Sequence, residues 1–438
     1  MSSFLERLRA DNAKKGLFTS DELNVSYPLG FPVLDEMLGA RYIRRMPNGE
    51  VKEDIHRGVP CGSFVIFAGQ SSSGKTTAAI QAAANIVEPF GELGIIIHED
   101  AEKSTTYDRV QSLTGWSNDK IKACYNIDRS HSNLEDILID INKMAERKEL
   151  EGDAMKYNTG QLNIWGEEYR CYIPSCVIVD SLGKLTSKNE ATDIINGLMS
   201  GGRNAIYNGI FFRNALDVMY KYNIIVFVIV HEDDDMPSPN GMQKAKQMTF
   251  MRSGKRLAGG AKTRNFTSSI VSFFPKTTKE DISTEEEDGF NGVTTVAYVV
   301  KSRVSKGGFG VTMDFVQESG FDPRMTLLRF AQDNGLISGR NPKSYFTAVP
   351  DVKFDTRIML KEMAQNPQIT VALFNQCAPL LHDIIPVVDI TDDSDIIRGG
   401  KGKLEIKQML RDYLSADKIG QTIPAQTKKE VDDNGESS

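Results

Sequence analysis

Short apolar runs alternate with longer segments of helical pattern through the middle of this chain. Four of the runs read SFVIFA, GIIIH, CVIVD and IIVFVIV, and they begin at residues 63, 94, 176 and 224. Runs that are apolar at nearly every position are typical of strands buried on both faces, as in a parallel sheet covered by helices. The alternation therefore predicts an α/β fold with a mostly parallel central sheet.

Three later apolar runs, Ile270–Phe274, Val293–Val300 and Gly310–Phe315, are separated by glycine-rich or charged turns. This spacing is typical of strands, so we expect these runs to add strands to the fold. From about Gly320 the pattern becomes helical and irregular, and prolines interrupt it repeatedly. A change of pattern at this point predicts a separate, smaller subdomain.

The pattern divides the chain into four predicted parts. Residues 1–55 form an N-terminal arm that is too small to fold alone, and residues 56–320 form the α/β core. A polar stretch at about 143–170 is predicted to be an insertion in that core. Residues 321–429 form the C-terminal subdomain. Residues 430–438 contain four acidic residues and no basic one, which predicts an acidic disordered tail.

Composition limits the function classes. The chain has 438 residues, is 40% hydrophobic and carries a net charge of −7, so it can bury a large core and has no uniformly basic coat. No run of about 18 apolar residues occurs, and the charged N-terminus is unlike a signal peptide, so we expect a cytoplasmic protein with no membrane partner. The five cysteines form no CxxC pair and predict neither disulfides nor a zinc site.

The strongest motif is GQSSSGKT, Gly69–Thr76, which matches G-x-x-x-x-G-K-[ST] and directly follows an apolar strand. Its glycines let successive backbone N–H groups converge on phosphate oxygens, and the following helix presents its positive end. We expect Lys75 to neutralise phosphate charge and Thr76 to ligate Mg²⁺, with ATP as the nucleotide. The alternative is an ordinary glycine-serine turn. The predicted nucleotide contacts are Gly69, Gln70, Ser71, Ser72, Ser73, Gly74, Lys75, Thr76 and Thr77.

An ATPase also needs carboxylates near the metal and the attacking water. Asp180 ends the apolar run CVIVD, which is the pattern of a Walker B strand, and we expect it to help hold Mg²⁺ rather than only to cap the next helix. Glu99, Asp100 and Glu102 follow another strand at the sheet edge where ligands bind. One of them can orient water, but position does not choose among the three, and all can be solvated loop acids.

At these residues the chain resembles the RecA family, and within it the UvsX recombinases of tailed phages. The resemblance is carried by Asp100-Ala101-Glu102 and by VIVDSLGKLTSK, Val177–Lys188, and it covers about Asn24 to Ile337. It implies a RecA-type P-loop ATPase core in which Glu102 is the catalytic base. It also implies that the N-terminal arm serves oligomerisation.

The same resemblance implies three further roles. His231, after the apolar run Ile224–Val230, stands where the family has its γ-phosphate sensor, although it can also cap a neighbouring element. Lys301 and Arg303 stand where the family inserts basic side chains into the neighbouring subunit's ATP site; surface charges are the alternative. Tyr107 and Arg109 match a Tyr-x-Arg pattern whose tyrosine packs on adenine, but the spacing from Glu102 is two residues shorter, and core packing of Tyr107 is equally compatible.

A basic segment follows His231. Between residues 236 and 279 there are nine Lys and Arg residues and no Asp or Glu, interleaved with glycines and apolar residues. Flexible basic backbone can track phosphates while an aromatic side chain stacks on bases. In the family this is the second DNA-binding loop, and a first loop is expected between Thr186 and Arg203. The predicted DNA contacts are Lys244, Lys246, Phe250, Arg252, Lys255, Arg256, Lys262 and Arg264.

Together these features predict a DNA-dependent ATPase that forms ATP-controlled filaments on single-stranded DNA and exchanges strands in homologous recombination. The implied partners are single-stranded DNA, double-stranded DNA during strand exchange, further copies of the chain, and single-strand-binding and mediator proteins. If a phage encodes the chain, the compartment is the host cytoplasm. Two alternatives remain: a hexameric replicative helicase of the DnaB kind, and a non-catalytic mediator.

Overall fold

The computed structural model describes residues 24–45, 48–163, 167–185, 203–234, 250–251, 255–257, 261–275, 292–316 and 319–389. Within these ranges the side chains of residues 44, 203–205, 233–234, 256, 261–262, 292–293 and 388–389 are not described. The chain divides into two units, Met1–Val388 and Asp389–Ser438. The second unit lies outside the described residues except at Asp389, so the fold below is that of the first.

The described residues form twenty strands and ten α-helices. The strands are β1 (Ser26–Tyr27), β2 (Ala40–Arg45), β3 (Val51–His56), β4 (Val59–Pro60), β5 (Phe64–Gly69), β6 (Ile96–Asp100), β7 (Tyr125–Asp128), β8 (Lys156–Leu162), β9 (Glu168–Tyr172), β10 (Ser175–Asp180), β11 (Ile224–Asp234), β12 (Lys255–Leu257), β13 (Ser269–Pro275), β14 (Gly292–Ser302), β15 (Phe309–Val316), β16 (Gly320–Phe321), β17 (Ile337–Ser338), β18 (Ser344–Phe346), β19 (Val349–Phe354) and β20 (Val387–Asp389). The helices are α1 (Pro32–Leu38), α2 (Lys75–Val87), α3 (Tyr107–Thr114), α4 (Asn118–Cys124), α5 (Leu134–Glu151), α6 (Arg203–Tyr222), α7 (Ala261–Phe266), α8 (Pro323–Asp333), α9 (Met359–Gln365) and α10 (Pro367–Ile384).

The central sheet is mostly parallel, as the sequence predicted. Its strand order is β16-β15-β14-β13-β5-β11-β10-β6-β7, and β12 pairs additionally with β11. The six strands from β13 to β7 run parallel to one another, whereas β14, β15 and β16 are antiparallel. The protein therefore has an α/β fold compatible with a Rossmann-like core, and the three later apolar runs are confirmed as β13, β14 and β15.

Helices cover both faces of this sheet. On one face α2 contributes four fully buried alanines to a core cluster: Ala78, Ala79, Ala82 and Ala83. These small side chains allow that part of the helix to lie close to the strands, and alanine also has the highest helix propensity. On the other face α5 and α6 close a second cluster over β10, β11 and β5, with Ile137, Phe212 and Met219 fully buried.

The polar stretch 143–170 contains the second half of α5 and most of a hairpin formed by β8 and β9. Lys148 in this part of α5 is buried, and its ammonium donates to the carbonyls of Ile173 and Tyr222 at 2.6 and 2.8 Å. The helix is therefore tied to β9 and to the end of α6. The predicted domain boundaries, including this insertion, stay predictions.

All five cysteines are free and buried, in agreement with the expectation of no disulfides. In the described part of the chain, none of the helices combines the length and apolar character needed to cross a membrane.

Candidate functional site

The carboxyl ends of four neighbouring parallel strands bring the candidate residues to one edge of the sheet. In the pairing of β11 with β5, His231 lies opposite Gly69, where the glycine-rich loop begins. In the pairing of β10 with β6, Asp180 lies opposite Asp100. In open α/β sheets this edge is where ligands bind. The loop, the histidine and the acids are thus neighbours because of strand order, although 162 residues separate Gly69 from His231 along the chain.

The loop between β5 and α2 requires glycine at both glycine positions of the motif for steric reasons. Gly69 has φ +148°, and a Cβ there would lie 2.1 Å from the carbonyl oxygen of Phe273. Gly74 has φ +89°, and a Cβ there would lie 2.6 Å from the ring of Phe321. The backbone can therefore curl tightly before α2 only if these two positions carry no side chain.

Lys75 is the first residue of α2, and only 6% of it is exposed. Its ammonium donates to the carbonyl of Gln70 at 2.5 Å, so the side chain folds back over the loop. Burial lowers the pKa of Lys75, whereas the negative charges of Asp180, Glu102 and Glu232 act in the opposite direction. A cation held over a loop at a helix N-terminus is suited to receive phosphate oxygens.

Thr76 and Asp180 form a direct link between the loop and β10. The Thr76 hydroxyl donates to Asp180 Oδ2 at 2.8 Å, and His98 Nε2 lies 3.8 Å from the same oxygen. A hydroxyl and a carboxylate are hard oxygen donors of the kind that Mg²⁺ takes together with phosphate oxygens and water. The buried Ser73 hydroxyl has no hydrogen-bond partner among the described residues. These groups fit a bound magnesium nucleotide.

The three acids at the end of β6 have different surroundings: Glu99 and Asp100 are the last two residues of the strand, and Glu102 follows it. Glu99 accepts a hydrogen bond from His131 Nδ1 at 2.9 Å. The two carboxylate oxygens of Asp100 accept the backbone N–H groups of Ser104 and Thr105, each at 3.1 Å, and so hold the turn after the strand. Both acids bond to partners away from the loop, although Glu99 Oε1 has none among the described residues, and Glu102 is the one of the three whose charge acts on Lys75.

Glu102 lies between Ser181 and His231. Its Oε1 accepts a hydrogen bond from the Ser181 hydroxyl at 2.7 Å and lies 3.4 Å from His231 Nε2. Its backbone N–H donates to the carbonyl of Asp180 at 3.2 Å, and the Asp180–Ser181 peptide bond is cis. A partly exposed carboxylate held beside the metal-side aspartate can accept a proton from a water molecule.

A cavity of about 370 Å³ opens beside the loop. It is lined by Ser72, Ser73, Gly74, Lys75, Thr76, Thr77, Ile80, Ser104, Thr105, Arg109, Leu113 and Phe315. Arg109 donates to the Thr77 hydroxyl at 3.2 Å. Tyr107 lines a different cavity, between α3, α4 and β7, and its hydroxyl accepts the N–H of Ile127. The structure therefore brings Arg109, not Tyr107, to the loop.

Lys301 and Arg303 contact the end of α7 in the same chain. Lys301 donates to the carbonyls of Arg264 and Thr267 at 2.6 and 2.7 Å, and Arg303 donates to that of Asn265 at 2.8 Å. Burial, followed by the charge of Arg303, lowers the pKa of Lys301 to about 8. Within one chain the two cations thus bind carbonyls that a helix C-terminus leaves without internal partners.

The basic segment, residues 236–279, begins just after β11 and contains β12. The sequence predicted that the strand ends at His231, and this detail is wrong, because β11 continues to Asp234 and pairs antiparallel with β12. Charged residues after an apolar run favour a loop, which is why the strand was predicted to end there. β12 instead supplies the hydrogen-bond partners that extend the strand. Lys255 lies opposite Asp234 in this pairing.

Several predicted DNA contacts lie outside the described residues. They are Lys244, Lys246 and Arg252, the side chains of Arg256 and Lys262, and nearly all of the expected first DNA loop, residues 186–202. Phe250 is described, and its ring packs against Gly308, where an added Cβ would lie 2.8 Å away. Arg264 is half-buried at the end of α7.

Sequence reasoning did not assign roles to three residues at this edge. Ser181 follows Asp180 directly and donates to Glu102, so the Walker B segment itself contained the signal. Arg109 was visible only as part of a pattern centred on Tyr107. Phe321 lies over Gly74 through the pairing of β16 with β15, and nothing in the local sequence indicates that contact.

No protein-family model matches the chain, and no curated protein sequence matches it either.

Proposed function

We propose that this chain is a DNA-dependent ATPase of the RecA type, which forms ATP-controlled filaments on single-stranded DNA and exchanges strands. One observation carries the proposal: Glu102 lies beside both the Thr76–Asp180 pair and His231, from which the basic segment departs. A base, a metal-side pair and a contact to the predicted DNA-binding segment are thus neighbours. This arrangement suits a protein that couples nucleotide turnover to DNA binding.

In this proposal the loop Gly69–Thr77 cradles the phosphates of ATP and Lys75 neutralises their charge. Bound Mg²⁺, held by Thr76 and Asp180, supplies further charge stabilisation to the phosphates. Glu102 accepts a proton from the water that attacks the γ-phosphorus, while the bond from that phosphorus to the β–γ bridging oxygen breaks. The products are ADP and inorganic phosphate, and Ser181 holds the base in place.

His231 connects this chemistry to DNA. Its side chain is near Glu102, and the same strand continues into the hairpin that leads to the basic segment. A γ-phosphate that binds His231 favours one position of the strand end, and its loss on hydrolysis removes that preference. We infer that the basic segment binds single-stranded DNA with ATP bound and releases it after hydrolysis.

Negative-stain imaging with single-stranded DNA and a slowly hydrolysed ATP analogue tests the assembly. We expect helical filaments, and we expect none from Lys75→Ala, which lacks the phosphate-neutralising cation. Six-fold rings would favour the helicase instead. DNA binding with no nucleotide hydrolysis would favour the non-catalytic mediator. Unchanged ATP hydrolysis by Lys75→Ala would contradict the role of the loop.

A further inference from the structure

A second cluster of ionisable side chains lies at the β6–β7 end of the sheet. Glu99 of β6 lies opposite Asp128 of β7 in the strand pairing, and His131 follows in the loop to α5. The side-chain atoms of these three residues that can ligate a metal lie within 4.8 Å of one another. None of the three residues has a role in the nucleotide chemistry proposed above.

His131 Nδ1 is at the centre of the cluster. It lies 2.9 Å from Glu99 Oε2, 3.7 Å from Asp140 Oδ2 and 4.0 Å from Asp128 Oδ2. Asp140 belongs to α5 and also pairs with the exposed Lys143 at 3.0 Å. Three carboxylates therefore converge on one imidazole nitrogen from two strands and a helix. This position favours a positive charge, either a proton or a metal ion.

Glu99 supplies an independent sign of a missing partner. Only 2% of this residue is exposed, and one carboxylate oxygen is bonded to His131. The other oxygen, Oε1, is buried and has no hydrogen-bond partner among the described residues. A buried carboxylate oxygen without a partner is destabilising, so native structures rarely contain one. Oε2 already faces the cluster through His131, and a cation bound by both carboxylate oxygens of Glu99 gives Oε1 a partner as well.

This cluster is separate from the nucleotide site. Successive side chains of a strand point to opposite faces of the sheet, so Glu99 and Asp100 point in opposite directions. Asp100 holds the turn at Ser104 and Thr105, which lines the cavity beside the glycine-rich loop. Glu99 instead faces His131 on the side covered by α5.

We propose that Glu99, Asp128 and His131 bind one divalent cation of the Mn²⁺ type, with Asp140 as a fourth ligand. A set of carboxylates with one imidazole suits Mn²⁺, and the absence of cysteine disfavours thiophilic ions. Such ligands lie about 2 Å from their metal, so a small inward movement of the side chains completes the site. The cation ties β6, β7 and α5 together, and this proposal does not depend on the ATPase proposal.

Titration of the full-length, metal-stripped protein with Mn²⁺ in the absence of nucleotide tests the site. Electron paramagnetic resonance of the free ion should show one bound Mn²⁺ per chain, and electron spin-echo modulation should show coupling to one imidazole nitrogen. His131→Gln should abolish that coupling. Glu99→Gln should weaken binding by about 10-fold or more, since changes even to residues around metal ligands have effects of that size.

Glu146→Gln is the matched control, because Glu146 is an exposed acid on α5 outside the cluster, and it should bind Mn²⁺ as the unaltered protein does. Circular dichroism checks that each variant is folded. If His131→Gln does not fold, Asp128→Asn replaces it, with weakened binding expected. The proposal is overturned if the unaltered protein binds no Mn²⁺ without nucleotide, if Glu99→Gln binds it equally well, or if Glu146→Gln weakens binding as much as Glu99→Gln does.

Discussion

At the residue scale, the roles of the three acids at the end of β6 (Glu99, Asp100 and Glu102) can be separated by amide substitutions that keep side-chain size. We expect Glu102→Gln to bind ATP but to hydrolyse it slower by about two orders of magnitude or more, the size of effect expected for loss of a positioned general base. Nucleotide binding and steady-state hydrolysis measure the two effects. The exposed Glu92→Gln is the control and should hydrolyse ATP normally.

The opposite outcome has a clear meaning. If Glu99→Gln or Asp100→Asn abolishes hydrolysis while Glu102→Gln does not, then the base has been assigned to the wrong acid. Asp100→Asn also weakens the acceptor for two backbone N–H groups, so its folding must be checked before its activity is interpreted.

Lys148 gives a prediction about pH. Burial lowers the pKa of its ammonium to about 7, whereas the unfolded chain has the ordinary value near 10.5. Between these values the unfolded chain holds a proton that the folded chain lacks, so the free energy of unfolding rises with pH. Relative to Lys148→Met, the unaltered protein should gain about 1 kcal/mol for each pH unit between 7 and 10.

Urea unfolding at pH 7, 8 and 9 measures this slope. Arg147→Met is the matched control, because Arg147 is adjacent on α5 but 75% exposed, and it should keep the slope of the unaltered protein. Equal slopes for Lys148→Met and the unaltered protein would show that Lys148 stays charged in the fold.

The sequence could predict which residues belong to the candidate site where a motif or a strand end places them. The loop from Gly69 to Thr76, and Asp180 at a strand end, needed only motif and strand pattern. The proximity of Glu99 to His131 could not be predicted, because it arises from the pairing of β6 with β7 and the placement of α5. Adenine stacking by Tyr107 stays a prediction; the Tyr107 hydroxyl accepts the N–H of Ile127 in β7, and Arg109 on the same helix donates to Thr77 of the loop.

At the scale of elements, the basic segment begins just after β11, and β12, which pairs with β11, lies within it. We expect replacement of Arg252, Lys255 and Arg256 by Ala to weaken single-stranded DNA binding. Each lost phosphate contact should reduce the log–log salt slope by about 0.7. Binding to a labelled oligonucleotide at several salt concentrations measures this, and nucleotide binding without DNA should survive.

A matched triple variant removes the same charge elsewhere. Lys122, Arg147 and Lys221 are exposed and lie outside the basic segment, and their replacement by Ala should leave the salt slope unchanged. If both triple variants lower the slope equally, the effect comes from net charge and not from this segment.

The strand continuation beyond His231 shows why element ends are hard to predict. Glu232, Asp233 and Asp234 lack the apolar character of a buried strand, but β12 supplies backbone hydrogen-bond partners from residues that are distant in sequence. Glu232 is buried all the same, because the Ser272 hydroxyl of β13 donates to it. An apolar side-chain pattern shows which strands are buried among apolar neighbours. It does not show where backbone pairing extends a strand through polar residues.

At the scale of the whole molecule, the apolar runs predicted the sheet because each strand is buried on both faces. They could not predict the antiparallel edge of β14, β15 and β16, since strand direction depends on how the connections cross the fold. The same limit applies to assembly, because a surface that meets another copy has no distinct hydrophobic pattern. Assembly needs an experiment that reports on two chains at once.

Variants of Lys301 and Arg303 make such an experiment possible. If the pair stabilises the charge that develops on a neighbour's γ-phosphate, each subunit completes another subunit's site, as an arginine finger does. If the pair only binds the end of α7 in its own chain, removing it affects only the chain that carries the substitutions. In both cases the double variant Lys301→Ala, Arg303→Ala should hydrolyse ATP slowly, so the variant alone does not separate the two roles.

A mixture separates them. Combined with Glu102→Gln, the double variant should regain DNA-stimulated hydrolysis, because some interfaces then pair its intact Glu102 with an intact basic pair from the other chain. A defect in capping α7 stays within each double-variant chain, so it predicts no gain. Hydrolysis by the mixture, measured after co-assembly has been shown, should therefore exceed the sum of the two separate rates. The hypothesis is falsified if it equals that sum.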